Sequence, residues 1–232
     1  MFPIRHIHQI EMTSRCNLRC RYCPSPHLPR PKIDMTEAYY KQTLRWARHF
    51  MIAAGGQREL NLAGIGESTL HPDFVRFVFL AREAMGDGVM LALATNGLLM
   101  TDELAAAIAP ARPAVWVSMH RPEKAGPAVE VLKKHNLLYG VSVDPALAAI
   151  DWAGQVKWHV SAGAKRECQW VKHGRVFVMA DGRVSRCCLD ASGVGVFAHV
   201  DDDLRRFETS PYVLCRTCDQ DVGVPFEQEQ VA

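Results

Sequence analysis

Apolar and polar positions change period repeatedly along this chain. Residues 5–12 alternate, with His6 and His8 set against Ile7 and Ile10, which predicts a first strand. Residues 35–53 then carry Tyr40, Leu44, Ala47 and Met51 at helical spacing. Asp34-Met35-Thr36-Glu37 reads as a capping box before this helix, and Gly55-Gly56 ends it. Residues 58–65 predict a second strand, running into Gly64-Ile65-Gly66-Glu67. Pro72 starts the next helix, whose Phe74, Val78, Ala81 and Met85 share a face, and Gly86 and Gly88 close it. Residues 89–94 are nearly all apolar, as expected of a parallel strand covered on both sides. After Thr95-Asn96-Gly97, Thr101 caps a short Ala-rich helix that Pro110 stops. Strands at 114–119, 137–143 and 155–160 and a helix at 123–135 complete the pattern.

This alternation predicts an α/β protein built from βαβ units. Five or six units are too few for a closed eight-fold barrel and suit a partial (β/α)6 TIM-like barrel over residues 1–161. The polar signatures all fall at predicted carboxyl ends of strands, where such sheets bind ligands. These are the loop after strand one, Gly66-Glu67, Asn96, and Ser118 with His120. Residues 162–222 read differently. Two short strands flank Asp181-Gly182, a hairpin turn, with Cys168 before them and Cys187, Cys188, Cys215 and Cys218 after. So few apolar residues imply a small module stapled by metal. Residues 223–232 read as a loose tail.

The chemistry concentrates in Cys16-x3-Cys20-x2-Cys23. Three thiolates on one short loop can hold three corners of an iron–sulfur cube and leave the fourth iron open to a ligand. Zinc is the competing reading, with His27 as a fourth ligand. Eight cysteines without a signal peptide read better as metal ligands than as disulfides, which points to a cytoplasmic protein. No stretch is long enough to span a membrane. A net charge of +2 is too small to indicate nucleic acid or an anionic membrane as partner. Arg15, Arg19, Arg21, Arg30 and Lys32 cluster near the cysteines, either as a solvated loop or to balance an anionic cluster or ligand. Trp116, Trp152 and Trp158 read as core, and His6, His8, His71 and His159 as structural.

Cys16-x3-Cys20-x2-Cys23, with Tyr22 before the last cysteine, resembles the signature of the radical S-adenosylmethionine superfamily. Gly64-Ile65-Gly66-Glu67 looks like that family's GGE stretch, with Ser68 where proline is common. The C-terminal cysteines resemble a Twitch domain, the shortened relative of SPASM. The resemblance implies that Cys16, Cys20 and Cys23 bind one [4Fe-4S] cluster whose open iron takes S-adenosylmethionine. It places Tyr22 by the adenine and Ser118 by the ribose or methionine part, and assigns Gly64, Gly66, Glu67 and Asn96 to the same ligand. For Glu67 an ordinary capping role competes, and for Asn96 simple turn chemistry. A second [4Fe-4S] cluster would use Cys168, Cys187, Cys215 and Cys218, with Cys188 as the rival to Cys187 and structural zinc as the rival to the cluster. Asp151-Trp152-Ala153-Gly154 stands where some relatives have asparagine-arginine-glycine, so that arginine's role does not carry over.

The implied function is reductive cleavage of S-adenosylmethionine and abstraction of a substrate hydrogen. The second cluster would take the second electron of an oxidation, and a flavodoxin or ferredoxin would supply the first. His120 is the candidate for accepting a substrate proton, against a plain structural histidine. A peptide- or protein-modifying maturase is the second reading, and a metal-stapled binding module the non-enzymatic one.

Overall fold

A computed structural model of the chain describes residues 1–54, 58–142, 152–156, 168–216 and 218. Its main body is one eight-stranded sheet. The strands in chain order are β2 (His6–Ile10), β3 (Glu59–Asn61), β4 (Met90–Thr95), β5 (Ala114–Ser118), β6 (Leu138–Ser142), β7 (Arg175–Val178), β8 (Arg183–Ser185) and β9 (Val196–His199). A two-stranded ribbon pairs β1 (Phe2–Pro3) with β10 (Glu208–Thr209). The order across the large sheet is β6-β5-β4-β3-β2-β7-β8-β9. Every pair from β6 to β7 is parallel, and β7-β8-β9 is antiparallel. Helices α1 (Glu37–Ala54), α2 (Phe74–Met85), α3 (Asp102–Ile108) and α4 (Pro122–Lys134) connect the parallel strands, and α5 (Gln169–Lys172) precedes β7. This is the α/β, partial-barrel architecture that the periodicity predicts.

The core lies between the helices and one face of the sheet. Leu91 and Leu93 on β4, Val115 and Val117 on β5, and Tyr40, Phe77 and Leu132 on the helices are all buried in it. The other face is different. On β4, Ala94 is exposed, and on β5 Trp116 is 43% exposed between two buried valines. The apolar run at 89–94 therefore does not mark a strand covered twice; alanines occupy its open side. Trp116 is likewise not a core residue. This open face ends in Ser118 and Ser142, which stand opposite each other on β5 and β6.

Three other expectations change. Asp34 does not cap α1. Its carboxylate accepts from the Thr13 hydroxyl at 2.7 Å and pairs with Arg15, while Thr36 accepts from the Tyr39 backbone N–H at 3.2 Å and acts as the cap. The second strand is only Glu59–Asn61, and residues 62–67 form a loop that carries the glycines. The C-terminal hairpin turns at Gly182 (φ 82°) as expected, yet β7 pairs with β2 in the main sheet. Gly55-Gly56, most of the 155–160 strand, Asp151, Trp158, His159 and the tail lie outside the described residues; Trp152–Val156 form a turn. No helix among the described residues is long and apolar enough to cross a membrane.

Candidate active site

The cysteine loop is held at its neck by the segment that follows β2 and the one that precedes α1. Ser14 accepts from the Ile33 backbone N–H at 2.8 Å, and the Met35 N–H donates to the Met12 carbonyl at 2.8 Å. The prolines between Pro24 and Pro31 exclude an α-helix and leave only a 3-10 turn at Ser25–His27, so residues 16–30 project as one loop from this neck.

Below the neck is a buried ion pair that the sequence reading missed. Glu11 is fully buried and accepts two bonds from Arg30, each 2.7 Å. It also accepts from the backbone N–H groups of Ile65 and Ala180, both at 3.1 Å. Arg30 adds a 2.7 Å bond to the Ala191 carbonyl. Arg30 is therefore not a free cation near the cysteines but a buried strut tying β2, the glycine loop and the chain after β7. Its partner lies 19 residues away, a separation at which no sequence periodicity reveals pairing.

Gly64 and Gly66 allow close approach, but the approach is between parts of the chain. A Cβ on Gly66 would stand 2.1 Å from the Thr13 carbonyl oxygen and 2.6 Å from that of Arg15; one on Gly64 would meet the Glu11 side chain at 2.4 Å. The loop after β3 thus lies flat on the segment leading to Cys16, and the Glu67 N–H donates to the Arg15 carbonyl at 2.8 Å. Glu67 is buried. Its Oε1 accepts from the Thr69 N–H (3.3 Å), the Thr69 hydroxyl (2.7 Å) and the Thr95 hydroxyl (2.8 Å). Its Oε2 accepts from the Asn96 N–H at 2.7 Å. Glu67 therefore caps its own turn and joins the ends of β3 and β4, with acceptor capacity remaining on Oε2. The Asn96 side chain donates to Asn17 at 2.7 Å and accepts from the Leu98 N–H at 3.0 Å, so it joins the β4 turn to the cysteine loop.

These elements enclose a cavity of about 370 Å³ at the carboxyl ends of the strands. Cys16, Cys20, Cys23, Tyr22, Gly64, Gly66, Glu67, Asn96, Ser118 and His120 all line it. Trp152 and Ser142, which sequence reasoning did not select, line it too. The Tyr22 hydroxyl and His120 Nδ1 are hydrogen-bonded at 2.6 Å, and burial lowers the His120 pKa so that the ring is neutral at pH 7.

The donor chemistry of the loop fits a cluster. The Leu18 and Ser25 backbone N–H groups point at the Cys16 and Cys23 sulfurs, at 3.4 and 3.5 Å. Burial raises the Cys16 thiol and pushes Cys23 up to about 11; Lys32 opposes both shifts. The thiols also repel one another as thiolates, which a bound cation would relieve. As placed, no three Cys, His, Asp or Glu side chains among the described residues converge into a formed metal centre.

The second cysteine group flanks β7 and β8 along the chain, with Cys168 before α5 and Cys187 and Cys188 after β8. Burial raises the Cys168 thiol, and the charges of Cys187 and Cys215 add to it; burial likewise raises Cys215, with the charge of Cys187 adding to it. Cys187 is raised first by its hydrogen bond to Cys188 and then by burial. Its loop is ordered by Asp190, fully buried, which accepts from the Ser185 hydroxyl at 2.6 Å and from the Gly193, Val194 and Gly195 N–H groups at 2.8–3.0 Å.

Comparison with known proteins places these observations. The family model described as Radical SAM superfamily matches residues 10–164. The tungsten-containing aldehyde ferredoxin oxidoreductase cofactor-modifying protein of Pyrococcus furiosus is 38% identical over 95 residues, 41% of this chain and 25% of that protein. The GTP 3',8-cyclase of Acidothermus cellulolyticus is 34% identical over 102 residues, 42% of this chain and 27% of that one. The matches thus span about a quarter of these curated relatives. Among solved structures, BtrN in complex with AdoMet and 2-DOIA superposes with a TM-score of 0.71 at 19% identity, covering 88% of this chain and 85% of that one. The anSMEcpe structure with AdoMet and the Cp18Cys peptide superposes with a TM-score of 0.60 at 16% identity, over 86% and 78%. At such identities the likeness is one of fold.

Proposed function

The chain belongs to the radical SAM superfamily and is a radical SAM enzyme, and from that premise we propose that it oxidises its substrate by two electrons. The observation that supports this reading most is the convergence of Cys16, Cys20 and Cys23 with Tyr22, Glu67 and Ser118 on one cavity. Cys16, Cys20 and Cys23 would hold the cluster, and the protein's part is to bind, orient and exclude water. When bound, the cluster and S-adenosylmethionine supply one-electron cleavage to methionine and a 5′-deoxyadenosyl radical. Glu67 Oε2 would accept from the ligand's ammonium group, with Tyr22 by its adenine and Ser118 by its ribose or methionine part. His120 receives the proton that an alcohol substrate releases on oxidation. In the tautomer that donates from Nδ1 to Tyr22, Nε2 is the accepting atom.

Cys168, Cys187, Cys215 and Cys218, in a Twitch-like module, would hold a second [4Fe-4S] cluster able to accept the second electron. Cys187 rather than Cys188 is taken as the ligand, as the family resemblance implies, and its charge acts on both Cys168 and Cys215. The initial electron comes from a flavodoxin or ferredoxin. A peptide substrate is the second reading; anSMEcpe has been solved with a bound peptide, and its fold is shared here. Membership of an enzyme superfamily sets aside the metal-stapled binding module.

Anaerobic reconstitution tests the proposal. The expected content is about eight irons per chain, as two four-iron clusters. Reductive cleavage of S-adenosylmethionine should vanish when Cys16, Cys20 and Cys23 are all changed to Ala. Stoichiometric zinc without iron, or cleavage retained in the triple variant, overturns it.

A further inference from the structure

Tyr22 is held at two points by residues from outside its own loop. Its hydroxyl bonds to His120 Nδ1 at 2.6 Å, and its backbone carbonyl accepts from Trp152 Nε1 at 3.0 Å. All three side chains line the cavity. His120 follows β5, whereas Trp152 opens the 152–156 turn.

That turn takes an uncommon path. Trp152, Ala153 and Gly154 have φ of 54°, 58° and 82°, so three successive residues occupy the left-handed region. For Trp and Ala this conformation persists only where surrounding contacts hold it. Gln155 supplies them. Its Nε2 donates to the Trp152 and Leu189 carbonyls, both at 2.6 Å. Its Oε1 accepts from the Ser192 N–H at 3.1 Å and the Ser192 hydroxyl at 2.9 Å. Leu189 and Ser192 belong to the Asp190-ordered loop that follows Cys187 and Cys188. Direct contacts therefore run from the second cysteine group, through Gln155 and Trp152, to the tyrosine beside Cys23.

We propose that His120 and the Gln155-braced Trp152 are positioning residues that clamp Tyr22 as a fixed wall of the cavity, so that the C-terminal cysteine loop sets the affinity of the radical site for an adenosyl group. The inference rests on the reading that this cavity takes S-adenosylmethionine. A ring already fixed loses no rotamer freedom when the ligand arrives, which strengthens binding.

The test measures binding, not turnover. Dissociation constants for S-adenosylmethionine and 5′-deoxyadenosine are determined by calorimetry on the anaerobically reconstituted full chain. Tyr22→Phe and His120→Ala should each weaken binding roughly five- to tenfold, the scale of one hydrogen bond. The double variant should be no weaker than either, because both changes remove the same bond. His120→Gln, which can still bond the hydroxyl, should recover part of the loss. Gln155→Ala should weaken binding as Trp152→Phe does, although Gln155 does not line the cavity. Unchanged iron content and an unchanged low-temperature EPR signal before ligand addition show that the cluster loop is intact. Should His120→Ala lose iron, the cycle is run with His120→Phe, which fills the space and makes no bond to the hydroxyl. Multiplicative losses in the Tyr22–His120 cycle overturn the clamp, and wild-type affinity in Gln155→Ala overturns the brace. A wild-type protein that binds no S-adenosylmethionine instead removes the functional reading beneath both.

Discussion

Glu11 meets four donors, two on Arg30 and two on backbone nitrogens from separate parts of the chain. Removing one partner of such a pair leaves the other charge buried and uncompensated, at a cost of about 3–5 kcal/mol. Glu11→Ala should lower unfolding stability by that amount in urea titrations. Replacing both residues with Met should recover only part of the loss, because the desolvation of both charges is removed while the Ile65 and Ala180 N–H groups are left without an acceptor. Two histidines behave differently. Burial lowers His6 to about 4, and burial followed by the charge of His6 lowers His8 to about 3, against 6.5 for an exposed imidazole. Between pH 6.5 and these values the unfolded chain binds protons that the folded chain does not. Stability is therefore full above pH 6.5 and falls as the pH drops towards 3, by at most about 1.4 kcal/mol per pH unit for each histidine. His8→Phe should flatten the dependence of the urea midpoint on pH over this window; an unchanged slope would remove His8 from the account. At this scale the cysteines were legible because ligand spacing is local. Glu11 was not, since a polar residue at a strand's end looks the same whether it meets water or a buried arginine.

The glycine loop shows how elements share the work of shaping the site. Gly66 sits where a Cβ would overlap two carbonyl oxygens of the segment entering the cysteine loop. Backbone atoms have no side-chain freedom with which to yield, so Gly66→Ala must part the two loops. Iron retained on the Cys16–Cys23 loop should fall severalfold, with the Glu67–Arg15 backbone bond lost. Gly88→Ala, where a Cβ meets nothing within 4 Å, is the matched control and should load iron normally. Equal loading of the two variants would refute this packing argument. The GxGE stretch was recognisable, but its reason was not. The sequence suggested glycines open to a ligand, whereas the tight contact is with Thr13 and Arg15, a pairing set by how two loops cross. The same holds for Asp34, which read as a helix cap because three-residue spacing to Glu37 is local. The fold assigns it to Thr13 and Arg15 at the loop's neck, and Thr36 caps α1.

Across the whole molecule, β7 joins the two regions that the sequence separates at residue 161. It pairs with β2 over four residue positions, and β2 is the strand that delivers the cysteine loop. The junction is reinforced on both sides. The Arg5 and His6 N–H groups donate to the Gly174 carbonyl at 2.9 and 3.2 Å, and the Glu11 N–H donates to the Val178 carbonyl at 2.8 Å. Periodicity identified the hairpin's strands but not their neighbour, because a parallel partner more than 160 residues away leaves no local mark. The consequence is physical. A chain ended at residue 161 would leave one edge of β2 unpaired, Glu11 short of its Ala180 donor, and Arg30 short of the Ala191 carbonyl. Such a fragment should be recovered mainly as aggregate, and any soluble part should lack a cooperative melt by circular dichroism. The full chain with Cys168, Cys187, Cys215 and Cys218 all changed to Ser keeps these backbone bonds, and should stay soluble while losing about half its iron. A fragment that melts cooperatively and loads the Cys16–Cys23 loop would mean that the barrel stands alone. The sheet would then need only the first region, and the link from the second cysteine group to Tyr22 would have no role in building the site.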